Sequence, residues 1–188
     1  MHIIRRSSFE AVPWKNGGGI THEAIRVPAR GDEFRFRVSV ARIEASGPFS
    51  DFAAYNRTMV LLEGSAVELR FSNGTRRVLR AVGDMAQFDG ALATQCELKH
   101  GPCTDLNLIT LKTLGEVEAR VERLDGTLSL PVRPGCTTLV FPLDAAAVLV
   151  EHEAAMLEPW DLALISGPGR VAARVEPRAP RAAAAVFV

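Results

Sequence analysis

The chain has 188 residues, 47% of them hydrophobic, which is enough to bury a core as one large domain or two small ones. Lysine plus arginine and aspartate plus glutamate both number 22, so the formal net charge is zero and no basic stripe is available to follow a phosphate backbone; nucleic acid is not an expected partner. No apolar run approaches about 18 residues, and the opening Met1-His2-Ile3-Ile4-Arg5-Arg6 lacks the apolar stretch of an export signal, so the expectation is a soluble cytoplasmic protein without membrane contact.

Few windows repeat apolar residues at helical spacing, and glycines and prolines recur every eight to fifteen residues, which predicts a mostly β protein. Residues 2–6 read as a short strand, and residues 20–27 as another after a glycine-rich stretch, with a turn over 28–32. The clearest alternation follows: Phe34, Phe36, Val38 and Val40 on one face, and Arg35, Arg37, Ser39 and Ala41 on the other. The first face is core. The second meets water in an ordinary sheet, or a polar lumen in a barrel, where Arg37 and Ser39 become ligand contacts. Residues 45–51 form a loop, and residues 57–62 a nearly all-apolar strand buried on both sides. Ser72-Asn73-Gly74 between two alternating runs is a hairpin signal. Residues 86–88, 94–98 and 105–111 complete about eight short strands.

From Gly115 the pattern restarts through residues 117–124, 127–130, 138–141, 146–151, 162–166, 170–176 and 182–188. The alanine runs at 145–147 and 182–185 suit helices by propensity but are too short to stand alone, and they read as strands. Two successive blocks of short antiparallel strands predict an all-β, cupin-like pair of barrels or jelly rolls, with residues 1–114 as the first and 115–188 as the second. A β-sandwich is the competing architecture.

The cysteines, at 96, 103 and 136, are odd in number and read as free packing thiols. Cys96, His100 and Cys103 have the look of three zinc ligands without a fourth, across what reads as a plain hairpin turn. His2, His22, His100 and His152 are scattered, and no HxH pair is present to build a cupin metal centre. No cofactor is expected.

The stretch from Trp14 to Glu23 is the best candidate for a site. Gly17, Gly18 and Gly19 leave backbone N–H groups uncovered, while Trp14, Lys15, Asn16, Thr21 and Glu23 supply an aromatic ring, a cation, an amide, a hydroxyl and a carboxylate. In an extended strand Thr21 and Glu23 share a face, and His22 points away. The spacing matches neither phosphate-binding glycine motif.

Trp14-Lys15-Asn16-Gly17-Gly18-Gly19 with Thr21 and Glu23, then Phe36-Arg37-Val38-Ser39-Val40-Ala41, Ser46-Gly47-Pro48-Phe49-Ser50, Arg57 leading into Leu61-Leu62-Glu63-Gly64, and Asp105-Leu106-Asn107 together resemble the signature of the HutD/Ves family. The resemblance spans about residues 9–112. Ala53-Ala54-Tyr55-Asn56 departs from the family's usual Pro-Gly turn. Membership implies a bicupin, a bacterial cytosolic setting and an association with histidine utilisation, as a regulatory or ligand-binding component without established enzymatic activity. Urocanate and formylglutamate, both carboxylates, are then the natural ligands.

The residue inventory suits such a ligand. Lys15, Arg37 and Arg57 can neutralise anionic oxygens, and Asn16, Thr21, Ser39 and Asn107 can fix orientation. Glu23 or Asp105 can hold an amine or imidazole N–H, and Trp14 can wall the cavity. Three further readings stand beside it: an enzyme with Glu23 and Lys15 as acid and base, a structural ion network of Arg57, Glu23 and Asp105, and a glycine loop that serves as a protein interface. Pairing of two copies into a homodimer is left open.

Overall fold

The structure, a computed structural model, describes residues 1–14, 18–28, 33–115, 117–167, 171–180 and 182–188. Its elements are β-strands and two single 3-10 turns, with no α-helix among the described residues. No helix of the described residues is long and apolar enough to cross a membrane. The chain divides into two compact units, Phe9–Glu116 and a second formed by Met1–Ser8 with Val117–Val188.

In chain order, β1 (His2–Ile4) belongs to the second unit. The first unit holds β2 (Glu10–Pro13), β3 (Gly19–Val27), β4 (Phe36–Ile43), β5 (Gly47–Pro48), β6 (Tyr55–Glu63), β7 (Val67–Phe71), β8 (Arg76–Leu79), β9 (Met85–Asp89), β10 (Thr94–Leu98) and β11 (Cys103–Leu111). The second unit continues with β12 (Ala119–Arg123), β13 (Leu128–Val132), β14 (Thr138–Pro142), β15 (Ala146–Val150), β16 (Glu153–Leu157), β17 (Leu162–Ile165), β18 (Val171–Pro177) and β19 (Ala183–Phe187).

Each unit consists of two antiparallel sheets. In the first they run β2-β3-β4-β11-β6-β9 and β5-β10-β7-β8; in the second, β1-β17-β14-β19-β12 and β13-β18-β15-β16. Of the barrels or jelly rolls expected, no closed barrel is found: the described strands form two facing sheets per unit. The reason is visible in the cores. Ile43, Met59 and Leu61 of the six-stranded sheet meet Val67, Leu69, Phe71 and Cys96 of its partner in one buried cluster. In the second unit Val140, Ala163 and Val186 meet Leu130, Val148 and Val175 in the same way. Burying two inner faces against each other needs no closure of the hydrogen-bond ladder.

Local chemistry accounts for several elements. The hairpin of β7 and β8 turns on Gly74, whose φ of 81° suits glycine, while the Thr75 N–H donates to Asn73 Oδ1 at 3.0 Å. The alanine-rich β15 and β19 are extended because pairing and burial override helix propensity: Ala146, Ala184 and Ala185 are fully buried between neighbouring strands. Strands β2, β5 and β16 have no counterpart in the sequence reading, and β5 falls in the loop expected over 45–51. All three are edge strands of their sheets, and β2 is exposed along its whole length, so burial imposes no alternation on it.

Candidate functional site

Strand register builds the site in the first unit. Across the six-stranded sheet Arg26 of β3 pairs with Arg37 of β4, Arg37 with Ile109 of β11, and Ile109 with Arg57 of β6. The next row on that face holds Glu23, Ser39 and Asn107, and the row beyond it Thr21, Ala41 and Asp105. Period-two alternation sends all of these side chains to one side. Trp14, Thr21, Glu23, Arg26, Arg37, Ser39, Arg57, Asp105 and Asn107 line a single cavity of about 760 Å³, together with Phe49 and Phe52 of the loop after β5. Val38 and Val40, on the opposite face, are buried.

Eight of the ten residues singled out from sequence therefore meet around one hollow: Trp14, Thr21, Glu23, Arg37, Ser39, Arg57, Asp105 and Asn107. Lys15 and Asn16 lie outside the described residues. Arg26 was not singled out, because strict alternation places it on the far face. A β-bulge between Glu23 and Ile25 inserts one residue and reverses the facing of everything after it. Phe34, expected on the Val38 face, precedes the start of β4; its ring stacks on Tyr55 with centroids 4.4 Å apart and lies 5.7 Å from the Arg37 guanidinium carbon.

The floor is a buried polar chain. Arg57 Nη2 donates to Asn107 Oδ1 at 2.9 Å, and Asn107 Nδ2 donates to Asp105 Oδ2 at 2.5 Å. Arg57 is 7% exposed and Asp105 1%. Arg57 Nε and Asp105 Oδ1 are buried with no hydrogen-bond partner. Burial draws the Arg57 guanidinium down to about 10, against the pull of Asp105, so the group stays charged at neutral pH. Phe49, Phe88 and Phe52 surround it with ring centroids 4.8, 5.2 and 5.5 Å from Cζ, presenting their faces to a desolvated cation. Burial pushes the Asp105 carboxyl up to about 7, with Arg57, the Asn107 hydrogen bond and the residue's own backbone N–H opposing.

Arg37 and Glu23 form a second, looser pair. Their Nε and Oε2 atoms are 3.9 Å apart, within ion-pair range and beyond hydrogen-bond range, and Arg37 Nε is also a buried donor without a partner. Burial lowers the Arg37 pKa, Glu23 raises it and Arg26 lowers it. Glu23 thus associates with Arg37 while Asp105 and Arg57 share Asn107, in place of the single network of Arg57, Glu23 and Asp105. Trp14 forms a wall, its indole Nε1 donating to Thr21 Oγ1 at 2.8 Å. Gly19 is required by close approach: a Cβ there would overlap the Arg42 carbonyl oxygen and crowd the Trp14 ring.

Cys96 and Cys103 are buried in the core cluster, and burial pushes both thiols up to about 12. Among the described residues no group of three His, Cys, Asp or Glu side chains is placed to hold a metal ion. The arrangement suits recognition of negative charge: Arg37 and Arg57 line one aromatic-walled hollow, beside Asp105, whose carboxyl is raised by burial.

Fold and site define the class, an all-β protein of cupin-like fold with a cationic cavity. Distant solved structures share that fold, among them oxalate decarboxylase from Bacillus subtilis, at 9% identity and a TM-score of 0.65 over 100% of this chain and 76% of the other. The chain belongs to the HutD family, whose model matches residues 6–183. It is 37% identical to an uncharacterized 21.2 kDa protein in the hutC 3′ region of Pseudomonas putida, over 69% of this chain and 67% of that protein. It is 29% identical to protein Ves of Escherichia fergusonii, over 62% of this chain and 60% of that one, so less than two thirds of that relative's length is matched. Among solved structures it resembles a conserved protein of unknown function from Pseudomonas aeruginosa PAO1, at 30% identity and a TM-score of 0.90 over 98% of this chain and 96% of the other. HutD from Pseudomonas fluorescens SBW25, in a formate condition, matches at 29% identity and a TM-score of 0.81 over 100% and 97%.

Proposed function

We propose that this protein is a non-catalytic, metal-independent bicupin that binds a small carboxylate intermediate of histidine degradation, of the urocanate or formylglutamate type, and regulates histidine utilisation in the cytoplasm. Membership of the HutD family and the likeness to HutD of Pseudomonas fluorescens support the pathway. The observation that carries the ligand class is the buried Arg57, fixed by Asn107 and ringed by Phe49, Phe52 and Phe88, with an unpartnered Nε at the cavity. A guanidinium held dry and charged in this way is stabilised by an anion that replaces its lost hydration. Arg37 supplies a second such donor.

Titration calorimetry with urocanate, formylglutamate and formate tests the reading. Saturable heat with at least one of them supports it, and no heat with any of the three, in folded protein, rejects it. A second reading, an enzyme with Glu23 and Lys15 as acid and base, draws on the position of Glu23 in the cavity beside Arg37. Turnover of one of these compounds, lost in Glu23→Gln with binding retained, would favour it.

A further inference from the structure

The two oxygens of Asp105 are not equivalent. Asn107 Oδ1 is occupied by the Arg57 guanidinium, which fixes the amide and turns its Nδ2 toward Asp105 as a donor. Oδ2 of Asp105 is therefore an acceptor. Oδ1 is the buried oxygen without a partner, and it belongs to a residue that lines the cavity. A carboxylate drawn toward Arg57 and Arg37 would stand against the face of β11 that carries Asp105, where Oδ1 is the oxygen without a hydrogen bond. If Asp105 is ionised, two anionic oxygens face each other in a dry site, a costly arrangement. With a proton on Oδ1 the same contact becomes an O–H donor to an anionic acceptor, among the strongest hydrogen bonds available to a protein.

We propose that carboxylate binding in this cavity is coupled to the uptake of one proton, which sits on Asp105 Oδ1 and is shared with a ligand oxygen. The proton comes from solvent, an O–H bond forms on Asp105, and no other bond changes. The inference rests on the carboxylate reading above and adds to it a dependence of occupancy on pH.

The charged and titratable groups that face Asp105 favour this outcome. Arg57 stands on β6, Arg37 on β4, and Arg26 and Glu23 on β3. Cys96 on β10 and Cys103 on β11 itself are neutral thiols with pKa values pushed up to about 12. Arg26, Arg37 and Arg57 against Glu23 leave an excess of two positive charges when Asp105 carries its proton and of one when it is ionised, so protonation strengthens the pull on an anion. Burial already holds the free carboxyl near 7, so protonation close to neutral pH costs little. A ligand that instead donated an N–H to Oδ1 would need Asp105 ionised and would release protons on binding. The sign of the proton exchange separates the two arrangements.

The test is calorimetric titration of the full chain with formylglutamate and with formate at pH 7.5, in imidazole and in Tris, two cationic buffers whose ionisation enthalpies differ. Neither probe titrates near neutrality, so exchanged protons belong to the protein. The expected result is uptake of roughly three quarters of a proton per ligand, with affinity falling about tenfold per pH unit above pH 8. Asp105→Asn should abolish both the uptake and the fall. Binding heat that is the same in both buffers, or that reports release, would overturn proton coupling while leaving the carboxylate reading intact; no heat with either probe would remove both. The wild-type titration decides without the variant. An infrared spectrum of the free protein at pH 6 provides a check independent of ligand: the band of a neutral carboxylic acid should be present, and a fully ionised Asp105 would contradict the proposal.

Discussion

Arg57 and Asp105 are joined through one amide: Asn107 accepts from Arg57 Nη2 at 2.9 Å and donates to Asp105 Oδ2 at 2.5 Å. The amide fixes guanidinium and carboxylate relative to each other and leaves Arg57 Nε and Asp105 Oδ1 as the buried polar atoms without a hydrogen bond. Replacing Asn107 by Leu keeps the volume and removes both bonds, leaving a buried donor and a buried acceptor unmet. The expected loss is about 3 kcal/mol, from about 1–3 kcal/mol for each unsatisfied group, read as a lower urea midpoint at unchanged slope.

Asp105 makes stability depend on pH in the direction opposite to most carboxylates. Its ordinary value is 3.8 and burial holds it near 7, so between these values the folded protein keeps a proton that the unfolded chain has released. Its contribution is fully present below pH 3.8 and is lost as pH rises through about 7. The shift corresponds to about 4 kcal/mol at 1.36 kcal/mol per pKa unit. Asp105→Asn keeps the acceptor for Asn107 and has no proton to lose. The stability of the variant relative to wild type should therefore rise from pH 4 to pH 7 and level off above, in a series of urea melts.

Gly19 should not tolerate a side chain. Its Cβ would overlap the backbone oxygen of Arg42 and lie 3.2 Å from Trp14 Cε3, while its own carbonyl accepts from the Trp14 N–H at 2.9 Å. Gly19→Ala should cost about 1–3 kcal/mol and disturb the Trp14 wall, seen as a lower melting temperature with a shifted tryptophan emission.

Thr21→Val removes the acceptor of the Trp14 indole N–H, a 2.8 Å bond, while keeping the side-chain shape. The expected stability loss is about 1 kcal/mol, measurable in the same urea melts. Gly19→Ala moves the ring through the backbone and Thr21→Val through the side chain. Weaker carboxylate binding in both would tie Trp14 to the cavity.

What could be read from the chain follows from where alternation holds. Arg37, Ser39, Asp105 and Asn107 were accessible because β4 and β11 keep period two where they line the cavity, while Val38 and Val40 on the far face are buried. Arg26 was not, because one inserted residue after Glu23 is invisible in a pattern of apolar and polar letters. Phe34 is buried as expected but not on the face of Val38, because it precedes the strand that starts at Phe36 and packs with Tyr55 and Ile109 instead. The pairing of Ile3 with Ala163 was beyond reach, since no local signal names a partner so far along the chain. The same distance hides the Arg5 contact with Asp161 at 2.7 Å, which ties the opening segment to the second unit.

The most direct test of a cationic cavity that takes a carboxylate is an NMR titration of the arginine Nε–H signals, with Arg57 and Arg37 assigned through Arg57→Lys and Arg37→Lys. Formylglutamate and urocanate are the probes. Saturable shifts of the Arg57 and Arg37 signals, with affinity weakened about tenfold or more in Arg57→Lys, are the predicted result. Carboxylate binding that leaves both signals unmoved, or no binding at all, would contradict it.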